Sequence, residues 1–371
     1  HPTMLSVSAF WRRHRSKVLY TVGVFGGGYL LYKLFNAHKR RLCETERVLQ
    51  IEQDNDEYIN AQLQTHFECI QKIADTMTLP HAMHYLGDQI AAELDLSHLT
   101  ERLMMGKGRP STLLPAEKLE LWDKLKILSF TRMLSSLWAM TILSLYIRVQ
   151  VNILGRQLYL DAAHGLGSSI LNEADDPVTS HDQQSFLASA DFLADSGLGV
   201  LISDMQAATT TVLEQKQLRD LFNTAALHET TMQIVDMFMS MAGPYHWVDY
   251  LMPGETRLCE AGSMDDSGPP SDFTRLDQFM VETRAVLLST EFRDVVGVSL
   301  KAAVGAFMED AESLFGGYLS SGIPLAKLLP RIAQMGPLLL EEASRNRYIQ
   351  IISDAPEVRS FFTLLYAGLP T

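Results

Sequence analysis

The residue types that carry chemistry are all present in this 371-residue chain, but their spacing assembles no catalytic set. His228-Glu229 opens the zinc pattern H-E-x-x-H, in which two histidines one helical turn apart hold the metal and the glutamate activates water. Met232 stands where the second histidine belongs, so the metal face is missing. His81 and His84 share a helix face without a third ligand placed beside them, and two surface histidines are the simpler reading. The three cysteines, Cys43, Cys69 and Cys259, are odd in number and scattered. They form neither a metal knuckle nor a disulfide framework, which suits a reducing compartment. The phosphate-binding G-x-x-x-x-G-K-S/T and the nucleophile elbow G-x-S-x-G do not occur, and Gly26-Gly27-Gly28 lies inside an apolar run rather than between a strand and a helix. Asp175-Asp176 and Asp265-Asp266 read as solvated loop charge. Nothing positive points to an enzyme, a cofactor or a bound metal.

Binding chemistry is better represented. In KLELWDKLKILSFTR, Lys118 to Arg132, helical spacing puts Leu121, Leu125 and Leu128 on one stripe. Lys118, Trp122 and Lys126 form a neighbouring line at i, i+4 and i+8. A tryptophan beside a buried stripe, flanked by lysines, is the chemistry of a hot spot for an acidic amphipathic helix. Helical spacing alone equally allows a partly buried core tryptophan with lysines reaching past it to water.

These residues need a scaffold and a location. The first 43 residues hold eight Lys/Arg and no Asp or Glu, leaving 23 basic and 44 acidic residues in the remainder, a net charge of −21. Arg12, Arg13, Arg15 and Lys17 precede the uncharged run Val18 to Tyr32, and Lys33, Lys39, Arg40 and Arg41 follow it. With Leu34 and Phe35, and with Lys17 and Lys33 snorkelling, the span approaches the roughly 20 residues a membrane helix needs. A cleaved signal or transit peptide and an interfacial helix are the rival readings. Against cleavage, the run ends in Lys33 and HKRR rather than in small residues. The expected organisation is a basic tail over 1–17, a transmembrane anchor over 18–35, a basic juxtamembrane segment over 36–43 and a helical domain over 44–371. Charge does not set the anchor's orientation, since both flanks carry four basic residues. So acidic a domain argues against nucleic-acid binding.

The domain reads as all-α. Helices are expected over Glu44–Leu79, ending at Pro80, and over His81–Met105. A very long one follows from Ala116 to about Leu160, and others over Leu198–Met241 and from Asp272 or Thr274 to about Phe315. Ser180 with Gln183 resembles a capping box. Prolines 324, 330, 337 and 356 break up the end of the chain. The uncharged tract Met133 to Ile147 spans about 22 Å as a helix, short of a hydrocarbon core of roughly 30 Å, and fits the centre of a bundle.

The Lys118–Arg132 segment, continued by RVQVNILGRQLYLD (Arg148 to Asp161), resembles the peroxin-3 family. Leu99-Thr100, Arg109-Pro110-Ser111 and IPLAKLLP (Ile323 to Pro330) add to the resemblance. The resemblance implies a single-pass peroxisomal membrane protein, anchored in lipid by its N-terminus, with a large elongated helical bundle in the cytosol. It implies a docking receptor for peroxin-19, the chaperone that carries newly made peroxisomal membrane proteins. The N-terminal amphipathic helix of peroxin-19 would enter an apolar groove at one end of the bundle. The family's tryptophan matches Trp122, and the neighbouring groove positions match Thr100, Leu103, Lys118, Leu125 and Lys126. Arg12, Arg13, Arg15 and Lys17 would serve targeting. No cofactor or metal is implied. The alternatives are a membrane-anchored enzyme of the endoplasmic reticulum or mitochondrial outer membrane, and a tether between organelles.

Overall fold

In the computed structural model the described residues are 64–367, except 66, 70, 73, 105–113, 166–176, 255–273 and 341–345. The basic segment from Arg12 to Lys17 and the anchor expected over 18–35 lie outside them.

Helices dominate, as the scarcity of period-2 alternation predicts. In chain order they are α1 (Leu79–Glu93), α2 (Ser97–Met104), α3 (Pro115–Gly165), α4 (Pro177–Ala188) and α5 (Leu198–Leu213). A two-residue strand, β1 (Leu221–Phe222), precedes α6 (Thr224–Ser240) and the short α7 (Val248–Leu251). Then come α8 (Arg275–Leu287), α9 (Thr290–Leu314), α10 (Tyr318–Ser321), β2 (Ile323–Pro324), α11 (Leu325–Leu338), α12 (Arg347–Asp354) and α13 (Pro356–Ala367). β1 and β2 pair antiparallel, with Leu221 opposite Pro324 and Phe222 opposite Ile323.

The axis of the bundle is α3, 51 residues long and therefore about 75 Å from end to end. It packs against α1, α2, α4, α5, α8, α9, α11, α12 and α13, most extensively against α11. From Met133 to Leu154 every residue is buried. The uncharged tract Met133 to Ile147 is thus the centre of the fold, which explains a helix apolar on all sides without a membrane. Some polar side chains along the buried part of α3 bond to the helix backbone: Thr141 donates to the carbonyl of Leu137 (2.8 Å) and Asn152 to that of Arg148 (2.7 Å). Gln150 donates to Phe186 O and Ser189 Oγ on the neighbouring segment. The buried Arg148 is paired with Asp75 at 2.8 Å and donates to the Ser353 hydroxyl, so its charge is not left alone in the interior. Trp138 is 1 % exposed, donates to Met239 Sδ at 3.3 Å and meets Phe238 and Tyr250 edge-on.

Residues 181–213 are also long and apolar enough to cross a membrane by composition, but about half of their most apolar window is buried in the fold. Tighter and wider turns at Ser189–Asp191 and Leu193–Gly197 interrupt this stretch. Within it, burial and the nearby charge of Asp195 raise the Asp191 carboxyl to about 7. Asp195 in turn accepts a hydrogen bond from Tyr85 of α1.

Several boundaries differ from those the sequence predicts. Pro80 does not end a helix. It sits in the first turn of α1, directly after a π-helical turn at Ala74–Thr78, where a missing backbone donor does least harm. The helix expected over His81–Met105 divides at Leu94–Leu96, because the Asp95 carboxylate takes the Ser97 N–H (2.9 Å) and hydroxyl (2.6 Å) and starts α2 afresh. Ser180 lies inside α4, so it is no cap. The tract Leu198–Met241 is cut by a turn at residues 214–223, closed by Asp220 accepting from Gln217 N (2.7 Å) and restarted by Asn223 accepting from Ala226 N (2.8 Å). Thr274 caps α8 in a reciprocal box with Asp277, but Ser289 begins a new helix, α9, where one continuous helix is expected. Pro330 and Pro337 lie within α11.

Candidate functional site

The first turns of α3 stand apart from the main core. Pro115 occupies the first helical position, where it needs no donor, and Glu117 folds back to accept the Leu114 N–H at 3.0 Å. From Leu114 to Glu120 every residue is exposed. One face of the next two turns is covered by α2. Leu96, Leu99 and Leu103 pack on Leu121 and Leu125 in a small leucine cluster separate from the main core, with Leu128 and Ala333 of α11 at its edge. α11 comes close just beyond: a Cβ on Gly336 would meet Ser136 Oγ at 3.2 Å and Arg132 O at 3.3 Å, so glycine permits this approach.

Trp122 is half-buried and touches both the leucine cluster and the main core. It therefore closes the gap between them while keeping part of its ring toward water. Leu114 (65 % exposed) and Leu119 (58 % exposed) lie on the same end of α3. An exposed leucine alone is ordinary; here Leu119 stands one helical turn before the half-buried Trp122, and Leu114 just precedes the helix. The charged side chains exposed on this end are Glu117, Glu120 and Asp123 with Lys118 and Lys124. The border is mixed in sign, not basic as the lysine line predicts.

Five of the six residues that the resemblance names lie around this end of α3: Lys118, Trp122 and Leu125 on α3 itself, Thr100 and Leu103 on α2. Trp122 and Lys118 face outward, Leu125 and Leu103 are buried in the leucine cluster, and Thr100 is exposed on α2 with its hydroxyl on the Leu96 carbonyl (2.9 Å). Lys126 differs. It is 5 % exposed, its ammonium donates to the Lys216 carbonyl at 2.8 Å and pairs with Asp123 at 3.2 Å. The i, i+4, i+8 line carries it against the turn between α5 and β1 instead of to water. Sequence reasoning overlooked Leu114 and Leu119; an apolar residue on the otherwise polar flank of α3 was the available sign for Leu119.

The α2 start is electrostatically tuned. The two hydrogen bonds from Ser97 hold the Asp95 carboxyl below the usual carboxylate range, and the charges of Arg132 and His98 act in the same direction. Depressions of about 770 and 690 Å³ occur elsewhere, against α6 and α9. Among the described residues no three His, Cys, Asp or Glu side chains converge as a metal site.

Residues 107–368 match the family model for Peroxin-3. The chain is 54 % identical over 366 residues to "Peroxisome biogenesis protein 3-2" of Arabidopsis thaliana, covering 98 % of this chain and 99 % of that protein. It is 28 % identical over 392 residues to human "Peroxisomal biogenesis factor 3", covering 99 % and 98 % of the two chains. It is 22 % identical to the protein of the same name in Yarrowia lipolytica, covering 97 % and 98 %.

Proposed function

The chain belongs to the peroxin-3 family, and from that premise we propose that it is the peroxisomal membrane receptor on which peroxin-19 docks with its cargo. The relatives' names tie them to peroxisome biogenesis, and delivery of membrane proteins is the step a membrane-bound helical receptor serves. The single observation that carries the reading is Trp122, half-buried between the leucine cluster and the main core, with Leu119 exposed one helical turn before it and Leu114 exposed at the helix start. An amphipathic helix laid across this end buries its apolar face on those three side chains, with Leu103 and Leu125 supporting the floor from below. Thr100 and Lys118 border it and meet the helix's polar flanks. No bond is made or broken, so the work is binding and release.

In this reading residues 18–35 anchor the chain in the peroxisomal membrane, the cluster Arg12, Arg13, Arg15 and Lys17 serves targeting, and residues 44–371 face the cytosol. Peroxisomal membrane protein cargo reaches the receptor through peroxin-19.

The test is a titration of the labelled peroxin-19 N-terminal helix against the purified full chain and its Trp122→Ala variant. A central tryptophan is worth about 2 kcal/mol or more, roughly a 30-fold loss of affinity. Unchanged affinity removes the docking site from α3. Residues 1–45 fused to a fluorescent protein should colocalise with a peroxisome marker; uniform mitochondrial or endoplasmic-reticulum labelling favours the tether or enzyme reading.

A further inference from the structure

The end of the bundle opposite Trp122 carries its own exposed apolar side chains, and the course of the chain points to what they face. Early segments meet α3 in reverse order. Phe67 lies ring to ring with Tyr366 of α13 at 5.7 Å, next to Leu365, whose carbonyl accepts from Arg156 of α3 at 3.2 Å. Asp75 pairs with Arg148 at 2.8 Å, and the charge of Asp95 acts on Arg132. α2 then covers Leu121 and Leu125. From Phe67 to α2 the chain thus climbs α3 from its C-terminal part to its start. The Arg156 end is where the chain comes in from residues 18–35, read above as the anchor.

Arg156 also pairs with Glu282 of α8. Exposed apolar side chains surround this junction: Val281 directly before Glu282, Leu364 directly before Leu365, and Leu160 one helical turn beyond Arg156. Val281 belongs to a stripe. Gln278, Val281, Ala285 and Leu288 recur at spacings of three and four along α8 and its C-cap, and all four are exposed. The stripe holds no charge. Glu282 is drawn aside to Arg156, and Arg284 to Asp249 and the Pro253 carbonyl. Phe279, Met280, Thr283 and Leu287 bury the other face of α8 in the bundle. We infer that this α8 face rests on the lipid surface that the anchor enters, with Val281, Ala285 and Leu288 in the headgroup layer and Leu160 and Leu364 adding to the contact. A stripe about 15 Å long is sufficient for shallow interfacial contact. It has no cation to seek anionic headgroups, and the domain is strongly acidic, so the contact is apolar and made with zwitterionic lipid. Three such side chains hold a free protein to a membrane weakly, but the anchor makes the contact intramolecular. The contact would set the tilt of the bundle, and with it the height of the Trp122 end. This inference rests on the anchor reading and is independent of the docking site.

The experiment places the full chain in vesicles of phosphatidylcholine and phosphatidylethanolamine that include a phosphatidylcholine with a photoreactive diazirine near the headgroup end of one acyl chain. After irradiation, mass spectrometry maps the lipid-labelled peptides. Residues 275–288 should be labelled about fivefold more than residues 115–128, equally at low and high salt. Val281→Glu with Leu288→Glu should reduce α8 labelling about tenfold, with a melt close to the parent's because both side chains are exposed. Val281→Leu should keep the labelling. Wild-type labelling over 275–288 no greater than over 115–128 overturns the inference, and that arm needs no variant to fold. Undiminished labelling of the double variant overturns it too. So does a chain-to-chain crosslink at Leu288→Cys without lipid labelling, which gives the stripe to a second copy. Alkaline extraction of the vesicles judges the anchor separately: a chain that washes off yet is labelled on α8 refutes the anchor and supports the contact.

Discussion

Two stretches of α3 lie in one unbroken helix yet have opposite surroundings. From Met133 to Leu154 every side chain is buried, and among the described residues nine helices pack on α3 along its length. From Pro115 to Leu128 only Leu121, Leu125 and Lys126 are buried, and α2 covers a single face. The first stretch is apolar on all sides because it has no outside. The second is apolar on one side and a little beyond it, and the surplus, Trp122 with Leu114 and Leu119, is what a partner can use. The same secondary structure thus serves as core or as exposed surface according to how much of its circumference the chain itself covers.

The sharpest way to break this comparison is to truncate one tryptophan in each stretch. Trp138→Ala should cost about 3–5 kcal/mol of stability, because the cavity opens among Phe238, Tyr250 and Met239 where nothing can relax to fill it. Its melting temperature, followed by circular dichroism, should fall far below that of the parent. Trp122→Ala should lose about 2 kcal/mol of binding while melting close to the parent. Equal losses of melting temperature for the two would erase the distinction.

A smaller effect separates the leucine cluster from the main core. Leu99→Ala should cost about 2 kcal/mol, at the low end for a buried leucine, since water and the exposed flank of α2 lie next to it. The loss should be local: amides of α2 exchange faster while those of Met133–Leu154 do not. Uniform acceleration through both would mean one cooperative core.

Two carboxyls sharpen the contrast through pH, with opposite signs. Asp191, beside the main core, has its folded pKa raised to about 7 by burial and by Asp195. A raised carboxyl favours folding below its unfolded value of about 3.9, and that contribution is lost as pH climbs through about 7. The protein should melt higher at pH 5 than at pH 8, and Asp191→Asn should reduce the difference. Asp95, at the start of α2, is lowered by its bonds from Ser97. Its contribution is present above the unfolded value and disappears as pH falls through the lowered one. Acid should therefore loosen α2, read as faster amide exchange there. The smallest effect is expected of Lys118→Glu. On an exposed side chain it should change affinity a few-fold, through association rate and salt dependence more than through dissociation.

Much of this was legible in the residues. The long helix, the buried uncharged tract, the Thr274 cap and the half-buried position of Trp122 follow from local spacing, which is information a helix carries in each turn. The division at Leu94–Leu96, the turn after α5 and the restart at Ser289 were not. Each is made by one or two polar side chains bonding to nearby backbone, and no glycine or proline announces it. Pro330 and Pro337 misled in the other direction, since tertiary packing of α11 on α3 carries a helix through both. The fate of Lys126 was hidden for a different reason: its acceptor, the Lys216 carbonyl, is 90 residues away and is a backbone atom, so no residue type marks it.

The continuity of α3 has a consequence for how this chain can vary. Because its buried stretch is locked by contacts on every side, the direction in which Trp122 points is set by the number of residues between them. Each residue turns the helix by about 100°. Inserting or deleting one residue between Leu128 and Met133 would leave composition and hydrophobicity almost untouched. It would nevertheless swing Trp122, Lys118 and Leu119 about a quarter turn around the axis, away from α2 and the Glu214–Asp220 turn. Angular phase is therefore a property of the exposed end of α3 as strict as residue identity: substitutions along α3 can be graded in their effects, while a change in its length by one residue is all or nothing.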